Sequence, residues 1–176
     1  MSRWRPLIAT VVARQFPQLH PTWVEAQVEV ESGGNPLAVS SVGAGGLLQL
    51  MPGTAREVGC QHIFEPEENL DGGLKYLRMQ WDRFPEIHNA DDRLRWSWAA
   101  YNGGRGFSNR ALALAREDAI QEWWRWSAAS PLLADPRCCI RPAGRNTPLW
   151  PDHKQIRDYV ARIERAGARR GVRLAS

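Results

Sequence analysis

The sequence predicts an all-α fold, and three observations carry that expectation. Apolar residues recur at helical spacing, as Leu70, Leu74, Leu77 and Trp81 do at i, i+4, i+7 and i+11. Start and stop signals punctuate the chain, with proline or threonine ahead of apolar runs and glycine behind them. Neither alternating apolar–polar runs nor Asn-Gly hairpin turns announce strands.

The elements follow in order. Residues 6–16 make a first helix, with Ile8, Val11 and Val12 on one face. "PTWVEAQVEVES" begins a second, from Trp23 to Glu31 or Ser32. Its N-cap is Thr22, Glu25 completes a capping box, and Gly33 and Gly34 end it. Pro52 and Thr54 open a short helix closed by Gly59, and the leucine stripe predicts a helix over 69–84. "DDRLRWSWAAYNGG" sets Leu94, Trp98 and Tyr101 on one face and stops at Gly103. Residues 109–126 continue as helix and end in "EWWRW", and 127–151 form a long proline-rich connection. Ile156, Tyr159, Val160 and Ile163 mark a last amphipathic helix, followed by a basic tail over 164–176. No second domain is visible, so residues 1–176 read as one unit, a length that suits a single hydrophobic core.

Composition excludes some classes of function. With 43% apolar and 24% charged residues, disorder is not expected. No apolar run approaches the roughly 20 residues of a membrane span. The start "MSRWRPLIATVVARQF" has arginines before an apolar patch but no small-residue cleavage site, so it reads as helix and not as a signal peptide. Cys60, Cys138 and Cys139 are odd in number and two are adjacent, which is no disulfide framework. In an oxidising compartment Cys60 could pair with either neighbour. Neither CxxC nor HExxH occurs, so no metal or other cofactor is expected. A net charge of +4 fits a solvated surface or an affinity for polyanions. The most basic stretch holds Arg162, Arg165, Arg169, Arg170 and Arg173. Nine tryptophans suit core packing or stacking on flat ligands.

Residues 31–52, "ESGGNPLAVSSVGAGGLLQLMP", pose the sharpest question. Glycine-rich loops often cradle phosphate. Here, however, Gly46 is followed by Leu47 and Leu48 where a P-loop needs lysine, and no GxGxxG follows a strand. The alternative is that Glu31 matters and the glycines are its scaffold. Glu31 falls at a helix C-terminus, where the dipole disfavours an ionised carboxylate, and apolar surroundings would push the same way. That suits a general acid for glycosidic cleavage. On spacing alone, Glu31 reads more readily as one more surface carboxylate on a helix.

The segment resembles the signature of the soluble lytic transglycosylase family, roughly E-S-x-x-N-P-x-A-x-S-x-x-G-A-x-G-L-x-Q-x-M-P-x-T-A. "EPEENLDGGLKYL" resembles the family's second block, "AAYNGG" its third, and "DYV" at residues 158–160 its closing helix block. These blocks span about residues 20–105 and 155–165. The resemblance implies a lysozyme-like, all-helical fold with a catalytic groove. It also implies cleavage of peptidoglycan between N-acetylmuramic acid and N-acetylglucosamine. Carried over, Glu31 is the single catalytic acid/base, while Ser40, Gln49, Asn69, Tyr101 and Asn102 bind the glycan strand. Two departures stand out: Leu48 replaces the usual methionine, and Gln155 and Ile156 replace a glutamate–threonine pair.

With one acid, the resemblance implies a 1,6-anhydro product formed by the sugar's own C6 hydroxyl. A second carboxylate near Glu31, such as Glu68 or Asp71, would instead make a hydrolysing muramidase. A non-catalytic glycan-binding or virion structural protein is the rival of another class. The expected setting is a phage or prophage endolysin, made in the cytoplasm and released to the periplasm and cell wall by a separate holin-like route. The basic C-terminal helix would then engage anionic envelope polymers. Nucleic acid is not an expected partner, and a monomer is expected.

Overall fold

A computed structural model describes residues 2–175. Within the chain the described residues form two compact units. One comprises the chain up to Met79 together with the chain from Arg162 onward, and the other is Gln80–Ala161. The fold is helical throughout. Among the described residues only isolated antiparallel pairs occur, Val39 with Gly45, Gly45 with Leu50 and Ile140 with Leu149. None of the described helices is long and apolar enough to cross a membrane.

The first unit is built on α1 (Arg5–Gln15), α2 (Pro21–Ser32), α3 (Pro52–Val58) and most of α4 (Pro66–Asp82). Ile8, Val11 and Val12 are buried on α1, and Leu70, Leu74 and Leu77 on α4, as the periodicity requires. The start of α2 differs from the expected capping box. The cap is His20, whose ring nitrogen accepts from Thr22 N at 3.3 Å, and Pro21 takes the first helical position. Glu25 is therefore free for tertiary use. It is buried, with both oxygens held by Arg5 at 3.0 and 3.2 Å. Gly33 ends α2 at φ +61, a left-handed conformation that favours glycine. α4 starts at Pro66, ahead of the stripe that marks it, because proline at N1 and Glu67 and Glu68 in the first turn suit a helix N-terminus.

In the second unit α5 (Ala90–Gly103) is capped by Asn89, whose side chain accepts from Asp92 N at 3.0 Å. Trp96 and Trp98 are fully buried on it. α6 is Arg105–Glu117, shorter than the expected 109–126 helix and shifted towards the N-terminus. It stops because Ala119 and Glu122 adopt φ of +52 and +55, which no helix continues through. Trp126 and Trp123, beyond that turn, make packing contacts within this unit. Trp126 meets Trp96 edge to face at 4.8 Å, and Trp96 Nε1 donates to Trp124 O at 2.9 Å. Arg116 lies 3.6 Å over the Trp123 ring. The connection expected over 127–151 is also more regular than its prolines suggest. It opens inside α7 (Trp126–Ala129), continues as a 3₁₀ turn (Ser130–Ala134), and later pairs Ile140 with Leu149.

The last helix, α8 (His153–Ala168), carries the first residues of the expected basic tail. In the first unit its end packs against α2. A Cβ on Gly167 would lie 2.1 Å from the Trp23 ring, so only glycine permits this approach.

Candidate functional site

Glu31 occupies the last turn of α2 and is half-buried. Several bonds fix that turn. Gly33 N donates to Glu29 O at 3.1 Å. Ser32 Oγ lies 2.9 Å from Leu47 O and 3.1 Å from Val28 O, and accepts from Gly34 N at 3.2 Å. Gly34 O accepts from Trp4 Nε1 at 2.9 Å and Arg3 Nη2 at 3.2 Å. The end of α2 is thus tied both to the N-terminal segment and to the loop at Leu47.

That loop is a folded object in its own right. Ser40 closes its tip. Its backbone N–H donates to Ala44 O at 2.9 Å, and its hydroxyl oxygen accepts from Ala44 N at 3.0 Å. Gln49 has φ +46 and donates through Nε2 to Ala38 O at 3.0 Å and Gly46 O at 2.9 Å. Asn69, from α4, is fully buried beneath the loop. Its Oδ1 accepts from Leu48 N at 2.7 Å, and its Nδ2 donates to Gly45 O at 3.0 Å and Ile63 O at 2.8 Å. Gly46 sits against this amide at φ +81, where a Cβ would lie 2.2 Å from both Asn69 Nδ2 and Ile63 O. The glycines are therefore scaffold.

The substrate-binding role expected for Asn69 needs correction. A side chain with no exposed surface and both amide hydrogens committed builds the loop and does not touch a ligand. Gln49 has committed its donors as well, which leaves its carbonyl oxygen for a ligand. Ser40 is half-buried and its hydroxyl can still donate. Tyr101 and Asn102 belong to the second unit, in the last turn of α5, and both are half-buried. The second departure from the family pattern, the Gln155–Ile156 pair, lies in the same unit. Gln155 Nε2 lies 3.5 Å from Asn102 Oδ1, and Ile156 packs so closely on Gly103 that a Cβ there would sit 2.2 Å from it.

The carboxylates that could make a hydrolase are occupied elsewhere. Asp71 Oδ1 accepts from Arg14 at 2.6 and 2.8 Å and from Gln15 Nε2 at 2.8 Å. Glu68 accepts from the amides of Gln61 and His62, and its Oε1 lies 2.8 Å from His62 Nδ1. The hydrogen bond from the His62 ring, then that from its backbone, hold the Glu68 carboxyl below its ordinary range, and the same pairing pushes His62 up. Both acids line a cleft of about 730 Å³ that Glu31 does not line. Cys60 is on its wall, and all three cysteines are free thiols. Burial pushes the Cys138 thiol up to about 11, so it is inert at neutral pH.

Residues 11–124 match the family model described as the transglycosylase SLT domain. The chain belongs to this family. It is 40% identical over 91 residues to a transglycosylase of Enterobacteria phage PRD1, covering 52% of this chain and 32% of that one. It is 37% identical over 113 residues to a membrane-bound lytic murein transglycosylase F of Maricaulis maris, covering 63% and 25%. This family domain thus spans about a third or less of these curated relatives. The fold matches the 70 kDa soluble lytic transglycosylase of Escherichia coli, with TM-score 0.64 at 22% identity over 94% of this chain and 23% of that one. It also matches an inactive mutant of the Pseudomonas aeruginosa lytic transglycosylase Slt, with TM-score 0.60 at 21% identity over 96% and 24%. These likenesses establish the lysozyme-like, all-helical fold expected from the sequence.

Proposed function

We propose that the chain is a peptidoglycan lytic transglycosylase that cuts the β-1,4 bond between N-acetylmuramic acid and N-acetylglucosamine. Glu31 is its acid/base, and Ser40, Gln49, Tyr101 and Asn102 contact the glycan strand. Family membership and relatives named as lytic murein transglycosylases support the activity. The observation that favours it over hydrolysis is the engagement of Glu68 and Asp71 in ion pairs around a separate cleft. A water-activating partner for Glu31 is thus not supplied by either.

In this reading Glu31 gives its proton to the glycosidic oxygen. The C1–O4 bond breaks, N-acetylglucosamine leaves as an alcohol, and the muramic N-acetyl oxygen stabilises the electron-poor C1. The Glu31 carboxylate then takes the C6 hydroxyl proton while O6 bonds to C1. This regenerates the acid, consumes no water and gains from an intramolecular nucleophile. Mass spectrometry of muropeptides released from purified peptidoglycan should find 1,6-anhydro products. Products heavier by one water would replace this reading with a muramidase.

The phage relative supports a viral setting, an endolysin that acts at the cell wall and reaches it by a separate holin-like route. Contact with anionic envelope polymers falls to the exposed Arg157, Arg165 and Arg173, because Arg162 and Arg169, although also exposed, and the more enclosed Arg170 are engaged with groups of α2. Neutralising those three exposed arginines should slow lysis of intact cells while sparing purified wall. Equal loss on both substrates would dismiss the polymer contact.

A further inference from the structure

Three arginines of the C-terminal segment converge on the turn that carries Glu31. Arg169 Nη2 donates to Glu29 Oε1 at 2.6 Å, and Arg170 Nη2 donates to Glu29 Oε2. Arg162 Nη2 donates at 3.3 Å to Val30 O, the carbonyl between Glu29 and Glu31. Arg170 is itself anchored. Its Nη1 donates to Ala166 O at 2.8 Å, its Nε lies 3.9 Å from Glu25 Oε2, and its side chain is only 16% exposed. Burial pushes the Glu29 carboxyl up, but the hydrogen bonds from Arg170 and Arg169 outweigh it and hold the group below its ordinary range.

Isolated surface ion pairs do little. This cluster differs because it acts on one turn of one helix from one side. Glu29 and Glu31 are two residues apart, so they project about 200° apart around α2. Fixing Glu29 fixes the rotation of that turn, and with it the direction of Glu31. Gly167 against Trp23 brings α8 close enough for the arginines to reach.

We propose that Arg170, with Arg169 and Arg162, is a positioning residue for Glu31, clamping the last turn of α2 through Glu29 and the Val30 carbonyl. The proposal rests on the reading of Glu31 as the acid/base. It reassigns Arg162 of α8 and Arg169 and Arg170 of the tail from envelope contact to holding the reacting group.

The test compares kcat and KM on solubilised glycan strands for the full chain and for Glu29→Gln, Arg170→Gln, Arg170→Lys and Glu31→Gln, each with a thermal melt. Glu29→Gln and Arg170→Gln should lose about ten- to hundred-fold in kcat with KM within about twofold, as a misplacement near 1 Å does. Arg170→Lys should recover part of the loss, since one ammonium supplies the charge without the planar fork. A purely structural role predicts a lower melting temperature with kcat unchanged per folded molecule, and that result overturns the clamp. Should Arg170→Gln fail to fold, Glu29→Gln, at a partly exposed site, carries the same test. An inactive Glu31→Gln beside clamp variants of wild-type kcat sinks the clamp alone. A Glu31→Gln of wild-type kcat sinks both readings.

Discussion

Glu31→Gln should retain the fold and lose about a hundred- to ten-thousand-fold of glycan-cleaving activity, the span typical of a lost general acid/base. The side chain is half-buried in the last turn of α2, where glutamine fits the same space. Circular dichroism and the melting temperature should therefore stay near wild type. The proposed reaction uses the same carboxyl twice, first as acid and then as base, so the amide fails at both steps. Glu68 and Asp71 offer no relief, because Arg14, Gln15 and His62 already hold them around another cleft. Glu31→Asp is the informative companion. It keeps the proton but withdraws it by about one methylene, and should fall between the two, since displacement of an acid on this scale costs on the order of a hundredfold. Release of anhydro-muropeptides is the measurement. Activity within tenfold of wild type for Glu31→Gln would place the acid elsewhere and end the transglycosylase reading of this residue.

The helical fold is largely legible in the sequence, and the features that differ from it have a common cause. The stops at Gly33 and Gly59 are local events. Left-handed φ favours glycine, so the sequence marks them directly. The leucine stripe of α4 is equally plain, because burial follows the helical repeat. The misreadings involve residues whose partner lies far along the chain. Thr22 and Glu25 fit a capping box by spacing, but Glu25 is claimed by Arg5 and the cap passes to His20. The arginines after α8 read as a solvated tail by composition. Their partner Glu29 lies 140 residues earlier for Arg169 and 141 for Arg170, a separation no local pattern announces. α6 was overextended because Ala119 and Glu122 look like helix formers and nothing local betrays their positive φ. Asn69 was assigned to the substrate by resemblance, since a motif records that a residue matters and not what it touches.

Asn69 also carries the largest expected effect on stability. Asn69→Ala removes the partners of Leu48 N, Gly45 O and Ile63 O at once, inside a site from which water is excluded. Each buried group left without a partner costs about 1–3 kcal/mol, so the loss should be roughly 3–9 kcal/mol, against a total of about 5–15 for an ordinary domain. Asn69→Asp separates size from bonding. It has nearly the same shape but presents an oxygen to two carbonyl oxygens in place of an N–H pair, so it should fare no better near neutral pH. Denaturant unfolding of both variants measures this. The two roles for Asn69 then predict opposite patterns. A substrate contact would raise KM and leave the unfolding midpoint alone. A node beneath the loop lowers the midpoint sharply, and activity falls with it because Ser32 ties the end of α2 to Leu47 on that same loop. A loss below about 1 kcal/mol would mean that the backbone pairs of Gly45 with Val39 and Leu50 suffice to hold the loop, and that Asn69 is dispensable to it.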